Sequence, residues 1–395
     1  MVAGAHTRVQ QLTSRLLALA RGRTEAYLQD LTRLVALDSG TFDVPAVNRT
    51  GRELAGMLAR GGWRVEHRPA PGFGDHLVAT LAGDGQRRVL LLGHFDTVYP
   101  AGTAASCPLT VAQGKASGPG VLDMKGGLVL GIAAVELLAA VPDVARPDLV
   151  FVLNSDEEVG SPTSRTLIEE TAHTVDAVYV LEPGREPGSV LATRKGVAMY
   201  TVTVYGRSAH AGAAPQDGRS AILELAYKTL RWHELDDPKM GTTVNVTVVR
   251  GGIRRNVVPD VATAELDVRV PNRAEAERVD RTIREIAARS TVPDTRAEVT
   301  GGLNRPPMEK LSATVPLLEL AQAVVESLRL PFIEATSGGG SDGNFTAALG
   351  IPTLDGLGPV GRGAHSPAEW IDLESIPARL ALLATLIALV PPRSR

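Results

Sequence analysis

The segment Arg88-Val89-Leu90-Leu91-Leu92-Gly93 is a short apolar run bounded by an arginine and a glycine, and His94-Phe95-Asp96 follows directly. An unbroken apolar run of this length suits a strand buried on both faces, as in a parallel sheet packed between helices. Outward from it, residues 148–154 (DLVFVLN) and 176–181 (DAVYVL) have the same character, and residues 124–141 and 162–171 read as helices between them. Strands alternating with helices predict an α/β fold with a mostly parallel, helix-covered sheet. After Gly184 the period changes: residues 196–205 (GVAMYTVTVY), 242–249 (TTVNVTVV) and 262–270 (ATAELDVRV) alternate apolar and polar side chains. That suits an antiparallel sheet with one open face, which helices over 216–235 and 274–288 could cover on the other. Beyond Arg305-Pro306-Pro307 the first style returns, with helices near 315–328 and 376–389. The expected layout is a split α/β domain over residues 1–194 and 307–395, interrupted by an α+β insert over 195–306.

Composition sets limits on function. The 395 residues allow two or three domains at about 150 residues each. Lys+Arg 41 against Asp+Glu 44 gives a net charge of −3, which argues against nucleic-acid affinity and against a polybasic membrane surface. A single cysteine, Cys107, excludes an internal disulfide and a thiolate zinc cluster. The apolar run Leu16-Leu17-Ala18-Leu19-Ala20 is too short for a signal segment and reads as part of an amphipathic helix running into residues 24–37. The expectation is a soluble, cytoplasmic protein without a membrane anchor.

The chemistry gathers at strand ends. His94 and Asp96 lie two residues apart at the end of the first strand, so their side chains point the same way. A carboxylate beside an imidazole fixes its tautomer, as it does for many metal-ligating histidines, although a surface pair would read the same. Asp123 sits in the Gly-rich turn Gly118-Pro119-Gly120-Val121-Leu122-Asp123-Met124-Lys125-Gly126-Gly127 before an apolar helix, as a helix cap or as a group that something approaches closely. Asn154-Ser155-Asp156-Glu157-Glu158-Val159-Gly160 puts three acids in a row after another buried strand, either as a solvated turn or around a cation. Glu182 follows the third strand, and His365 lies in Gly363-Ala364-His365-Ser366-Pro367. Ligands of open α/β sheets bind beyond the carboxyl ends of the strands, where His94, Glu157, Glu158 and Glu182 all fall. A different mechanism is also written in the chain: Gly339-Gly340-Ser341-Asp342-Gly343 fits a nucleophile elbow, with Ser341, Asp355 and His365 in serine-hydrolase order.

Together these segments resemble the M20 family of metallopeptidases, the dizinc exopeptidases and amidohydrolases. Gly206-Arg207-Ser208-Ala209-His210-Ala211-Gly212-Ala213-Ala214-Pro215 and Gly338-Gly339-Gly340-Ser341-Asp342 are similar to motifs of the glutamate carboxypeptidase type. The resemblance implies a catalytic domain with an inserted dimerisation (lid) domain, and a homodimer. It implies that His94, Asp123 and Glu182 hold one metal and that Asp123, Glu158 and His365 hold the other. Asp96 would orient His94, Glu157 would be the general base, and His210 would help stabilise an oxyanion in the partner subunit. Oxygen and nitrogen donors suit Zn2+, with Co2+ or Mn2+ as substitutes. The implied substrate is a small peptide or N-acyl amino acid, its carboxylate gripped by Arg305 with Asn256, Arg269 and the backbone at Gly340 in support. One departure stands out: set by eye against the resemblance, Ser189 falls where glutamate-specific relatives carry a lysine, with Arg185, Arg194 and Lys195 as the nearby basic residues that could substitute. An N-acyl-amino-acid deacylase shares every metal and base residue and is the main rival reading.

Overall fold

The structure is a computed structural model and describes residues 3–393. The chain forms two compact units, one of Met1–Thr193, Lys310–Thr336 and Ser341–Arg395, the other of Arg194–Glu309 and Ser337–Gly340.

The first unit is built on a six-stranded sheet in the order Arg64–Arg68, His76–Leu81, Asp148–Asn154, Arg88–His94, Ala177–Val180, Thr353–Leu354. The last four run parallel, and the first two are antiparallel additions at one edge. The apolar runs supply both faces of the sheet. Val89, Leu91, Leu149, Phe151, Leu153 and Tyr179 pack on the side of helix Lys125–Ala139. Leu90, Leu92, Val150, Val152, Val178 and Val180 pack on the other side with Ile168 of helix Arg165–Ala172. Each fully buried side chain of this size contributes about 1.5–3 kcal/mol, and a one-residue slip in register would exchange the two faces and break the packing on both.

Strand Arg88–His94 sits between Asp148–Asn154 and Ala177–Val180, so the chain crosses first to one side of it and then to the other. The sheet's topological switch point is therefore the end of Arg88–His94, the place where ligands of such sheets bind. In register there, His94 stands opposite Asn154, and Leu92 opposite Val180. The start of the helix after Asp123 is pressed against this edge: a Cβ at Gly127 would meet the Leu181 carbonyl oxygen at 2.0 Å.

A smaller four-stranded sheet in the same unit orders Gly361–Arg362, Trp370–Asp372, Lys115–Ser117 and Thr110–Ala112. It joins the segment before Asp123 to the segment around His365. The expected continuous helix near the N-terminus is two helices, Ala3–Ala20 and Thr24–Val35, because the chain turns at Arg21 and Gly22. Leu16 and Ala20 are buried while Ala18 and Leu19 are exposed, so the run is one amphipathic turn of helix with a single core-facing side. Among the described residues no helix is long and apolar enough to cross a membrane.

The second unit is an antiparallel sheet in the order Thr243–Gly251, Val261–Val270, Gly196–Tyr205, Arg296–Arg305, with helices Ala221–His233 and Arg273–Ala288 packed on it. The fourth strand, Arg296–Arg305, escapes the alternation rule because Gly301 and Gly302 interrupt it. Gly301 has φ +88, and a Cβ there would meet the Met199 carbonyl at 2.2 Å, so only glycine lets these two strands close. The whole is a mixed α/β chain with a mostly parallel central sheet and a separate antiparallel one.

Candidate metal centre

His94 ends its strand almost fully buried, and its two ring nitrogens face different groups. Nδ1 lies 3.0 Å from the Asp96 carbonyl oxygen and 3.3 Å from Asp96 Oδ1. Nε2 lies 3.1 Å from Asp123 Oδ1 and 3.7 Å from Glu182 Oε1. The Asp96 carboxylate is satisfied on all sides: Thr41 Oγ1 donates to it at 2.8 Å, and the amides of Glu157 and Glu158 donate at 3.2 Å each. Asp96 thus ties the histidine to the acidic turn Glu157–Val159 that follows the neighbouring strand.

A second set forms on the other side of Asp123. His365 Nε2 lies 3.2 Å from Asp123 Oδ2 and 3.1 Å from Glu158 Oε2. His365 has φ 62, a left-handed conformation costing a non-glycine residue of order 1–3 kcal/mol; the surrounding hairpin holds it there. The ligand-type atoms of His94, Asp123 and Glu158 all lie within 4.8 Å of one another. A cleft of about 380 Å³ opens beside Glu158, lined by Phe42, Val98, Tyr99, Pro100 and Val159 among others.

The electrostatics are those of clustered acids that need positive charge. Burial works against a charged His94, yet hydrogen bonds with Asp123 and Asp96 outweigh it and raise its pKa well above the usual imidazole value. Hydrogen bonds with Asp123 and Glu158 push His365 up to about 11. Burial also opposes an ionised Asp123, but the two histidines carry it below the usual carboxylate range. Glu158 is pushed up to about 7, chiefly by burial. Its Oε1 is buried without a hydrogen-bond partner. An orphaned carboxylate oxygen is costly in a protein interior, and a divalent cation would satisfy it. Two sets of oxygen and nitrogen donors sharing one aspartate fit such ions.

The family profile described as Peptidase family M20/M25/M40 matches residues 90–389, which take in His94, Asp96, Asp123, Glu157, Glu158, Glu182 and His365. The chain belongs to the M20 family. Carboxypeptidase G2 of Pseudomonas sp. (strain RS-16) is 32% identical over 377 residues, 94% of this chain and 91% of that protein. Succinyl-diaminopimelate desuccinylase of Xanthomonas oryzae pv. oryzae (strain PXO99A) is 28% identical over 355 residues, 85% of this chain and 91% of the other. Among solved structures, aminopeptidase PepT from Bacillus cereus ATCC 10987 shares the fold with a TM-score of 0.78 at 24% identity, over 92% of this chain and 98% of that one. As an M20 protein the chain is a metal-dependent hydrolase of the peptidase and amidohydrolase kind.

The serine-hydrolase order does not survive as an M20 alternative. Ser341 is fully buried and its Oγ donates to Asp355 Oδ2 at 2.5 Å, while His365 Nε2 faces Asp123 and Glu158 instead. A nucleophilic serine needs the histidine beside it. Here Ser341 ties down a buried aspartate.

The other positions that the resemblance implicates lie in the second unit, apart from Ser189. His210 is exposed, and its Nδ1 accepts from the amides of Gly212 and Ala213 at 3.2 and 3.0 Å. That fixes the proton of the neutral ring on Nε2, ready to donate. Asn256 is exposed next to it, its carbonyl accepting from Ala211 N at 2.9 Å. Arg269 spends its fork on Asp267, at 2.8 and 2.7 Å. Arg305 is buried, and a Cβ at Gly340 would meet its Cδ at 2.7 Å. Ser189, in the first unit, is buried at the start of strand Ser189–Arg194, where its Oγ donates to the Glu186 carbonyl at 2.8 Å.

Sequence reasoning passes over two supports. Asn154 Nδ2 donates to Asp342 at 2.8 Å, and Asp342 and Asp156 collect Ser161, Thr163 and Ser164, pinning the loop that carries Glu157 and Glu158. Glu369 holds the Asp123 loop. Asp342 and Glu369 act on segments distant in sequence, so no local pattern shows what they hold.

Proposed function

We propose that the chain is a dinuclear-metal carboxypeptidase that releases the C-terminal amino acid of a small peptide or N-acyl amino acid. The observation that carries this reading is Asp123, whose two oxygens face two separate His-plus-acid sets. Residues His94, Asp123 and Glu182 would hold one divalent ion, and Asp123, Glu158 and His365 the other, with Zn2+ the best match to these donors. When bound, the ions supply Lewis acidity at the scissile carbonyl.

The protein's own groups do the rest. Asp96 holds the His94 ring in the tautomer that leaves Nε2 available, because Nδ1 is directed at Asp96. Glu157 takes a proton from the attacking water and returns it to the leaving nitrogen. His210, with its proton on Nε2, donates to the oxyanion of the tetrahedral intermediate in a partner subunit's site. Arg305, Asn256, Arg269 and the Gly340 backbone serve the substrate carboxylate in this reading.

A homodimer through the second unit is part of the proposal. Helix Ala221–His233 exposes Leu223, Tyr227 and Leu230, the last at 67%. Strand Thr243–Gly251 pairs on one side only and exposes Val249. A contiguous apolar face of this kind is normally covered.

The carboxypeptidase named among the relatives supports the substrate class. The burial of Ser189 favours a second reading, an N-acyl-amino-acid deacylase without glutamate preference, and the desuccinylase relative is compatible with it. A panel of N-acyl amino acids and dipeptides with varied C-terminal residues, assayed with added zinc, separates the two. Hydrolysis confined to C-terminal glutamate supports the glutamate-type carboxypeptidase; indifference to that residue supports the deacylase. No hydrolysis of any member would overturn both.

A further inference from the structure

Glu369 is almost fully buried, and its carboxylate collects the amides of a single loop. Gly120 N donates to Oε2 at 2.9 Å, and Leu122 N and Asp123 N donate to Oε1 at 2.7 and 2.9 Å. Tyr99 Oη donates to Oε2 at 2.5 Å and lies 2.8 Å from the Ser366 carbonyl. Register explains how a side chain so far along the sequence arrives there. Trp370 pairs with Ser117, so the residue before the one strand meets the loop that leaves the other. Arg362 pairs with Trp370 across the hairpin whose turn carries His365. One turn therefore presents His365 and also grips the loop that presents Asp123.

We infer that Glu369 is a positioning residue for the metal centre: it clamps the loop from Gly120 to Asp123 to the His365 hairpin, so that Asp123 offers one oxygen to each ligand set. The inference rests on the two-metal reading above. The chemistry asks for a carboxylate. Three inward-pointing N–H groups need an acceptor-only partner, and ionised acceptors make the stronger bonds. A glutamine in its place turns an NH2 group toward amides that can only donate. Outer partners that fix the orientation of metal ligands are typically worth about 10–100-fold in metal affinity.

The test is Co2+ binding to the purified full-length chain, wild type, Glu369→Gln and Tyr99→Phe, by competition with a chromophoric chelator. The visible spectrum of the bound cobalt, metal-free melting and steady-state kinetics are recorded alongside. Glu369→Gln is expected to weaken Co2+ binding by about 10–100-fold, to change the cobalt spectrum, and to lower kcat with little change in KM. Tyr99→Phe keeps the carboxylate and its three amide bonds and should show the same changes in smaller measure. If Glu369→Gln does not fold, Tyr99→Phe decides: weakened binding with an altered spectrum supports the clamp, and wild-type affinity and spectrum overturn it. Wild-type affinity and spectrum in a folded Glu369→Gln overturn the clamp alone. A wild-type chain that binds no cobalt overturns the two-metal reading and the clamp with it.

Discussion

Asp123 faces two histidines at once: its Oδ1 lies 3.1 Å from His94 Nε2, and its Oδ2 lies 3.2 Å from His365 Nε2. One histidine comes from the end of a central strand and the other from a hairpin near the C-terminus. A single carboxylate therefore joins two halves of a centre built from segments far apart in the chain.

Glu157→Gln removes a proton acceptor and leaves every residue of the two ligand sets in place. The expected outcome is a chain that binds metal as the wild type does while kcat falls by about 10²–10⁴-fold. Metal analysis and kinetics on the same preparation check this. Wild-type turnover would show that the base lies elsewhere.

Ser341→Ala tests the structural role assigned to the buried serine. The variant should keep turnover close to wild type and lose stability of about 1–3 kcal/mol, because Asp355 loses a buried hydrogen-bond donor. Denaturant melts and kinetics measure both. Loss of turnover in a well-folded variant would restore the serine mechanism.

The pH dependence of the metal-free chain has a defined sign. His365 is raised from 6.5 to about 11, so its contribution to stability is complete below pH 6.5 and drains away as pH rises from there toward about 11. Glu158 is raised from 4.5 to about 7, so its contribution is likewise lost with rising pH, between those two values. The metal-free chain should melt at lower temperature at about pH 8.5 than at about pH 6.5, and added zinc should flatten the trend because the ion replaces the protons. Zinc affinity should rise over the same window. Calorimetry with chelator and with zinc checks both, and a metal-free Tm that climbs with pH contradicts the assignment.

Leu230→Glu places a charge in the exposed apolar face of the second unit. The fold should persist, since the side chain is 67% exposed, while the mass in solution should drop from dimer to monomer. Light scattering reads this directly. A dimer that survives the substitution at micromolar concentration would place the interface elsewhere.

Much of the first unit was legible because its central strands are buried on both faces. Runs such as Arg88–His94 and Asp148–Asn154 carry few polar residues, and the site residues follow them directly. The antiparallel edge was not legible: Arg64–Arg68 reads RVEHR, a polar strand with nothing periodic to mark it. Arg296–Arg305 was hidden by its glycines. Glu369 was hidden for another reason. Its role depends on the pairing of two three-residue strands, Lys115–Ser117 and Trp370–Asp372, and no local pattern in either reveals the other. The nucleophile-elbow motif does not mark a nucleophile here, because a glycine-flanked serine serves a buried turn equally well.

Asp123 would serve two metal ions in the proposed reading, and the number of ions bound per chain tests this most directly. Metal-free protein titrated with Zn2+ under competition should take up two equivalents, and Asp123→Asn, which removes a ligand from both sets, should hold fewer than one under the same conditions. A wild-type chain that saturates at a single equivalent, or an Asp123→Asn variant that still binds two, would contradict it.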